Sequence, residues 1–294
     1  MKKYWPMRIK SFAKINLGLE IIRKRDDGYH EVRTLLQAVN FYDVLEFCPT
    51  PEGRIILQGD DQAISWGKDN LIFKAALLLK ENFRITQGIE IGVTKTIPPG
   101  KGLGGGSSNA AMTLYALNKC WALGLGKKAL MDFGRELGAD VPFFLEGGLC
   151  LGTARGDNIT PVADLVSISC LLVLPELSIS TASVYEQLRF SLTSPSKDSK
   201  IIKFLDCREL GFLENELEET VFRLHPQLRA IKSLFQSHGS ELSLVSGTGS
   251  ALFGLFSDRK KAEKALSEIE KSFPSLLVET LSRERYRKNI QPGV

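Results

Sequence analysis

The sequence predicts an α+β protein built as two lobes, residues 1–160 and 161–294. Three observations carry this expectation. Apolar residues alternate at strand period in both halves of the chain. Between those runs lie segments with helical spacing and recognisable ends. The 294 residues, 43% hydrophobic and 24% charged, are enough to bury a core in one large domain or two smaller ones.

The elements follow in order. Residues from about Arg8 to Ile22 and from about Thr34 to Phe47 read as paired strands. The first carries Ile9, Phe12, Ile15, Leu17, Leu19 and Ile21, with clean alternation over its second half. Arg25-Asp26-Asp27-Gly28-Tyr29-His30 between them has Asp-Gly turn chemistry. A helix is predicted from Asp69 or Asn70 to about Glu81, with Asp69 as N-cap and Leu71, Ala75, Leu78 and Leu79 on one face. A strand over Gly88–Lys95 leads into a glycine-rich run, 98–110, and a helix carrying Ala110, Leu114, Leu117 and Trp121 follows. A short helix, about Lys127–Leu137, ends at Gly138. Strands are predicted at Gly147–Gly152 and Ser167–Leu174, and a polar linker or mobile loop at Ser191–Lys200. Helices near Glu214–Leu224, His225–Ser237 and Asp258–Ser272 then alternate with strands near Leu242–Val245 and Ala251–Phe256.

Composition narrows the function classes. The net charge is only +4, and the basic clusters Arg23-Lys24-Arg25, Arg259-Lys260-Lys261 and 283–288 read as solvated faces or a tail. There is no basic stripe with interleaved aromatics, so no nucleic acid is expected as partner. No apolar run reaches membrane-helix length, and the N-terminus lacks the apolar core of a signal peptide, so no membrane association is expected. Five scattered cysteines without a CxxC pair fit reduced thiols and a cytoplasmic protein. Oligomeric state stays open.

The run Pro98-Pro99-Gly100-Lys101-Gly102-Leu103-Gly104-Gly105-Gly106-Ser107-Ser108-Asn109-Ala110 is the main chemical signal. A glycine loop opening a helix presents backbone N–H groups and the positive end of the helix dipole to an anion. Glycine lets the backbone approach a phosphate without a Cβ in the way. Ser107 and Ser108 could cap the helix or turn a hydroxyl to a phosphate or to its magnesium ion. The run matches neither the Walker loop, since glycine follows Lys101, nor the dinucleotide fingerprint, since Ser107 stands where the third glycine belongs.

Three further segments stand out. In Ala13-Lys14-Ile15-Asn16-Leu17, Lys14 and Asn16 project to one side of a strand. In Gly138-Ala139-Asp140-Val141-Pro142, Asp140 is either a plain N-cap or an acid with a task. In Ser246-Gly247-Thr248-Gly249-Ser250, the glycines make either a tight turn or a set of backbone donors. Phosphoryl transfer requires a phosphate cradle, a group that receives the attacking hydroxyl's proton, and cations. The loop, Asp140 and Lys14 supply that set if they converge.

These segments resemble the three motifs of the galactokinase, homoserine kinase, mevalonate kinase and phosphomevalonate kinase (GHMP) superfamily. Asp27-Gly28-Tyr29-His30-Glu31, Asp69-Asn70-Leu71 and Gly138-Ala139-Asp140-Val141-Pro142, in that order with the others, make the resemblance closest to its branch acting on a cytidine-diphosphate-linked methylerythritol. The resemblance covers residues ~8 to 256. It implies a two-lobed GHMP-kinase-like fold, with a ribosomal-protein-like left-handed βαβ N-terminal lobe and a ferredoxin-like α/β sandwich C-terminal lobe. It implies an ATP-dependent kinase that phosphorylates the 2-hydroxyl of that substrate in non-mevalonate isoprenoid biosynthesis, with ATP as co-substrate and Mg2+. By that resemblance Lys14 and Asp140 are the catalytic pair. Asn70 and Lys95 lie near the nucleoside. Pro99, Gly100, Lys101, Gly102, Leu103, Gly104, Gly105, Gly106, Ser107, Ser108 and Asn109 hold the ATP, with Lys101 open between phosphate and solvent and solvent preferred. Asn16, Tyr29, His30, Thr181, Tyr185, Gly247, Thr248 and Gly249 face the substrate, and Ser107 or Ser108 binds the metal. Two other readings are a homoserine- or mevalonate-type kinase and a non-catalytic nucleotide sensor.

Overall fold

The computed structural model describes residues 6–188 and 199–291. Of the predicted linker Ser191–Lys200, residues 191–198 lie outside the described residues, while Ser199 caps a helix that begins at Lys200. The first lobe is organised around one long antiparallel hairpin, β1 (Met7–Lys24) and β2 (His30–Thr50), paired from Met7↔Phe47 to Lys24↔His30. Its turn closes as Asp-Gly chemistry predicts: Gly28 sits at φ +84° and Asp27 Oδ1 accepts from the Tyr29 amide at 3.1 Å. The register slips between Phe12 and Ala13 and again between Asn16 and Gly18. Irregularities of this kind re-aim side chains beside active sites, and here they bracket Lys14 and Asn16.

The other edge of β2 is shared by two strands. β4 (Gly88–Thr94) pairs with residues 44–50 and β5 (Leu149–Thr153) with residues 34–37. Two short strands that the sequence did not reveal complete the six-stranded sheet: β3 (Ile55–Gly59), parallel to β4, and β6 (Asn158–Pro161), antiparallel to β5. Four helices bury against it: α1 (Leu71–Asn82), α2 (Gly105–Cys120), α3 (Lys127–Leu137) and α4 (Val141–Glu146). The core they share joins Phe12, Phe47 and Ile91 of the sheet to Ala76, Leu79, Leu114 and Phe143 of the helices. The N-cap of α1 is Asn70, not Asp69. The Asn70 carboxamide oxygen accepts from the Ile72 amide at 2.9 Å, while Asp69 accepts from the Ser65 hydroxyl.

The second lobe holds a four-stranded antiparallel sheet in the order β10-β7-β9-β8, with β7 (Ser169–Val173), β8 (Leu242–Val245), β9 (Leu252–Phe256) and β10 (Ser275–Glu279). One face carries α7 (Glu218–Leu224), α8 (Gln227–Ser237) and α9 (Arg259–Ile269), through Val221, Ile231, Phe235 and Ala265. The other face meets the first sheet. Ile15, Leu17, Leu35 and Val39 pack with Cys170, Leu172, Phe253 and Leu255 in one buried cluster. The apolar face of β1 is therefore an inter-lobe core, and Lys14 and Asn16 point away from it. Two short helices, α5 (Thr181–Glu186) and α6 (Lys200–Cys207), were not visible in the sequence. Helix α7 begins at Glu218 rather than Glu214, because the Asn215 side chain caps the Leu217 amide at 3.0 Å and residues 214–216 run beside β1 instead.

The basic segment 283–288 is not a tail, although Arg285, Arg287 and Lys288 are exposed on it. It forms α10 (Arg283–Ile290), which returns to the first lobe. Tyr286 is fully buried, stacks at an angle against Phe12, and donates its hydroxyl to the Phe144 carbonyl at 2.7 Å. The buried Glu146 carboxylate, also on α4, takes ion pairs from Arg283, Arg287 and Lys127. A buried carboxylate needs such partners to stay ionised. Helix α10 thus clamps α4. Tyr286→Ala is expected to lower stability by about 3–5 kcal/mol, as deletion of a large buried ring does, whereas Tyr286→Phe removes one hydrogen bond and costs about 1 kcal/mol. Urea denaturation of the two variants checks the difference.

Candidate active site

The glycine loop leaves β4 through a fixed anchor. Asp43 on β2 is fully buried; its carboxylate accepts from the Thr96 and Ile97 amides at 2.7 and 2.8 Å and from Lys95 Nζ at 2.8 Å. Lys95 is thereby committed to an ion pair and to the Ile97 carbonyl, and Asn70 to its capping role and to Ser65. Both side chains are thus held by partners within the protein.

Beyond Ile97 the chain turns on glycines. Gly100, Gly102 and Gly104 all have φ near +70°, a region costly for residues with a Cβ. A Cβ on Gly102 would stand 2.0 Å from the Ser246 carbonyl, and one on Gly104 would stand 2.7 Å from the Phe144 ring and 3.1 Å from Lys14 Cγ. Gly104 is the N-cap of α2, in the left-handed region and without a side-chain cap. The first-turn amides of α2 therefore remain open to an anion.

The serines part company. Ser107 faces the cleft described below. Ser108 and Asn109 are buried, and both hydrogen-bond the Ser11 hydroxyl at 2.7 Å, Asn109 Oδ1 accepting from it, so their side chains anchor α2 to β1. Pro99 and Gly100 lie exposed at the loop's tip. Lys101 does not point to solvent: its ammonium donates to the Pro175 and Leu177 carbonyls at 2.5 and 2.6 Å, tying the loop to the second lobe, and burial lowers its pKa. Leu103 is core; its carbonyl accepts from the Lys14 amide at 3.0 Å.

That last bond brings Lys14 to the loop. Its ammonium is buried, 2.6 Å from Asn16 Oδ1 and 3.6 Å from Asp140 Oδ2. Asn16 is held in turn, its Nδ2 donating to Thr34 Oγ1 at 2.9 Å. Asp140 precedes α4 in the right-handed helical region and makes no side-chain capping bond. The plain N-cap alternative therefore does not describe this residue; its carboxylate turns to Lys14 and the cleft.

The turn 246–249 closes the other side. The Ser246 hydroxyl donates to the Gly102 carbonyl at 2.8 Å and accepts from the Asn16 amide at 3.3 Å. A Cβ on Gly247 would lie 3.1 Å from Asn16 Oδ1. Thr248 and Thr181 share a hydrogen bond of 3.0 Å across two elements of the second lobe.

Lys14, Asn16, Ser107, Asp140, Gly247 and Thr248 line a cleft of about 890 Å3, together with Tyr29, His30, Thr181 and Tyr185. His30 stacks on Tyr185 with centroids 4.9 Å apart. Burial, with the Asp140 charge adding to it, pushes the Tyr185 hydroxyl up to about 12, so it stays a neutral donor. Burial, then the Lys24 charge, lowers the His30 pKa, leaving its ring neutral at pH 7. Tyr29 is 58% exposed, with the Arg155 guanidinium over its ring at 5.3 Å. Arg155, also on the cleft wall, stands in no periodic or motif pattern of the sequence.

The chain is similar to known proteins in sequence and in fold. Residues 70–148 match the GHMP kinases N terminal domain and residues 204–275 the GHMP kinases C terminal domain. The chain is 35% identical over 288 residues to the 4-diphosphocytidyl-2-C-methyl-D-erythritol kinase of Caldicellulosiruptor saccharolyticus, covering 96% of this chain and 99% of the relative. The chain belongs to the 4-diphosphocytidyl-2-C-methyl-D-erythritol kinase family. A second family member, from Syntrophus aciditrophicus, is 39% identical over 266 residues, with 90% and 95% coverage. A crystal structure of 4-(cytidine 5'-diphospho)-2C-methyl-D-erythritol kinase superimposes with a TM-score of 0.81 at 32% identity, over 93% of this chain and 99% of that one. The family's fold extends further: a homoserine kinase from Cytophaga hutchinsonii superimposes with a TM-score of 0.79 at 18% identity over 96% of each chain.

The loop itself is open to test. Gly104→Val carries about 1–3 kcal/mol of backbone strain and drives a branched Cβ into Phe144 and Lys14. Calorimetry is expected to show loss of measurable ATP binding; parental affinity in the folded variant would contradict the loop's assignment.

Proposed function

We propose that this protein transfers the γ-phosphoryl group of ATP to the 2-hydroxyl of 4-diphosphocytidyl-2-C-methyl-D-erythritol. Family membership supports the reaction, and the uncapped Asp140 carboxylate 3.6 Å from a buried lysine is the observation that carries the mechanism. The Lys14 ammonium stands beside the Asp140 carboxylate. Asp140 takes the proton of the acceptor hydroxyl as its oxygen bonds to the γ-phosphorus. The bond from that phosphorus to the β,γ-bridging oxygen breaks, and ADP leaves. Lys14 and the α2 amides offset the charge on the transferred group. Asn16 fixes the ammonium of Lys14, and Thr34 fixes Asn16.

Magnesium fits the cleft: the Ser107 hydroxyl and the Asp140 carboxylate are oxygen donors on its wall. Bound there with ATP, it would neutralise phosphate charge. The buried Ser108 hydroxyl, shared with Ser11, is not part of that set. The neutral His30 ring, stacked on Tyr185 beside exposed Tyr29, suits a flat base with hydrogen-bonding edges. The same reading places Gly247, Thr248, Gly249 and Thr181 on the substrate side, and keeps Asn70 and Lys95 as supports beneath the ATP site.

The β10-β7-β9-β8 order supports a ferredoxin-like C-terminal lobe. We place the lobe boundary near residue 160, with α10 crossing back to the first lobe, whose sheet fits the ribosomal-protein-like type. The absence, among the described residues, of a helix long and apolar enough to span a membrane accords with a cytoplasmic enzyme of small molecules.

Asp140→Asn tests the chemistry. Single-turnover ADP formation with both substrates saturating is expected to fall by about 10²–10⁴, with ATP binding kept. Lys14→Met is expected to act similarly, and the double variant to be little worse than the worse single one. A parental rate in folded Asp140→Asn protein would favour a nucleotide sensor. His30→Ala is expected to raise KM for the cytidine substrate more than for ATP, because the polar edge of the bound base loses its partner; equal losses would count against a base-side role.

A further inference from the structure

Residues 214–218, Glu-Asn-Glu-Leu-Glu, lead into α7 and have no part in the site described above, yet the chain runs them into the space between β1 and the 246–249 turn. The Leu19 amide donates to the Glu214 carbonyl at 2.9 Å and the Glu216 amide donates back to the Leu19 carbonyl at 3.0 Å. This one-bridge parallel pairing, five residues past Lys14 on β1, puts Asn215 at 3% exposure. Its carboxamide is fully used. Nδ2 donates to the Gly247 carbonyl at 2.7 Å and to the Val245 carbonyl at 3.0 Å, while Oδ1 accepts from the Leu217 amide at 3.0 Å. A second bond from the same segment grips the same strand end: Glu218 Oε1 accepts from the Val245 amide at 2.8 Å.

The geometry points to Asn215 as a positioning residue for phosphoryl transfer, acting through Gly247. The turn that Asn215 holds lies directly against the Lys14–Asn16 pair: a Cβ on Gly247 would lie 3.1 Å from Asn16 Oδ1 and 3.7 Å from Lys14 Nζ. Gly247 sits at φ +59°, so this residue has no side chain of its own to wedge it in place. Around it the turn is held by the Ser246 hydroxyl on the Gly102 carbonyl, by the Thr248–Thr181 bond, and, at the Gly247 carbonyl itself, by Asn215. Only a side-chain amide offers two N–H donors and an acceptor in one plane at that point. Its loss leaves two buried carbonyls without these donors and frees the turn to move off the lysine. Displacements of about 1 Å in a reacting site cost up to ~100-fold in rate. The inference rests on the phosphoryl-transfer reading above.

Asn215→Asp keeps the size of the side chain and the Leu217 cap but loses both donated bonds; Asn215→Ala loses all three. In steady-state ADP release with ATP and the cytidine-diphosphate acceptor, kcat is expected to fall about 10- to 100-fold while KM for each substrate stays within about threefold of the parent. Amide hydrogen exchange at 247–249 is expected to accelerate in the folded Asn215→Asp protein. A parental kcat in either folded variant, a rise in KM with kcat unchanged, or failure of both variants to fold would overturn the inference, the last by making Asn215 a folding residue only. If the parent itself does not turn over, the phosphoryl-transfer reading fails and the exchange measurement decides alone: unchanged exchange at 247–249 overturns the positioning role.

Discussion

The contact between the Lys14 ammonium and the Asp140 carboxylate organises the cleft, and it depends on two elements far apart in sequence. Lys14 reaches the cleft because β1 buries Ala13, Ile15 and Leu17 between the sheets and turns its polar side outward. Asp140 reaches it because the first turn of α4 does not consume its carboxylate. The ion pair is half-open: Lys14 is almost wholly buried, while Asp140 retains 36% of its side-chain exposure. A buried ammonium needs a partner, and a partly exposed carboxylate can still receive a proton from a bound hydroxyl. The asymmetry suits a pair in which one member stays fixed and the other meets substrate.

Much of the remaining structure holds α4 and the glycine loop in register with that pair. Phe144 of α4 packs under Gly104, the first residue of the α2 cap. Tyr286 and the cations around Glu146 fix α4 from the C-terminal helix. Asp43 fixes the start of the loop and Lys101 its tip. The second lobe contributes the 246–249 turn, and with Tyr185 the wall behind His30. The cleft is thus made by both lobes, and the shared core between the sheets holds them together.

The loop, the long hairpin and the main helices were legible because each has a strong local signature: clustered glycine, period-two alternation, or helical spacing with an end signal. Strands β3, β6 and β10 were not. They are short, and mostly half-exposed or exposed at sheet edges, so their apolar pattern is weak. Asn70 was missed as a cap because two adjacent residues could each cap, and only the geometry at Ile72 decides. The start of α7 was misplaced because Glu214–Leu217 has helical composition, which the Asn215 bonds to a distant turn override. Ser108 and Lys101 illustrate the same limit. The first is claimed by Ser11, the second by two carbonyls of the other lobe, and no local pattern announces either partner. In the site, residue types were readable; convergence was not, since it is set by the fold.

The most direct measurement is the transfer reaction itself with the parent protein. ATP is supplied with one acceptor at a time: the cytidine-diphosphate-linked methylerythritol, homoserine or mevalonate. ADP release is followed together with the phosphorus NMR spectrum of the products. The account predicts stoichiometric ADP and a new phosphomonoester signal with the cytidine-diphosphate acceptor alone. ADP release independent of any acceptor, or a phosphomonoester formed preferentially on homoserine or mevalonate, would contradict it.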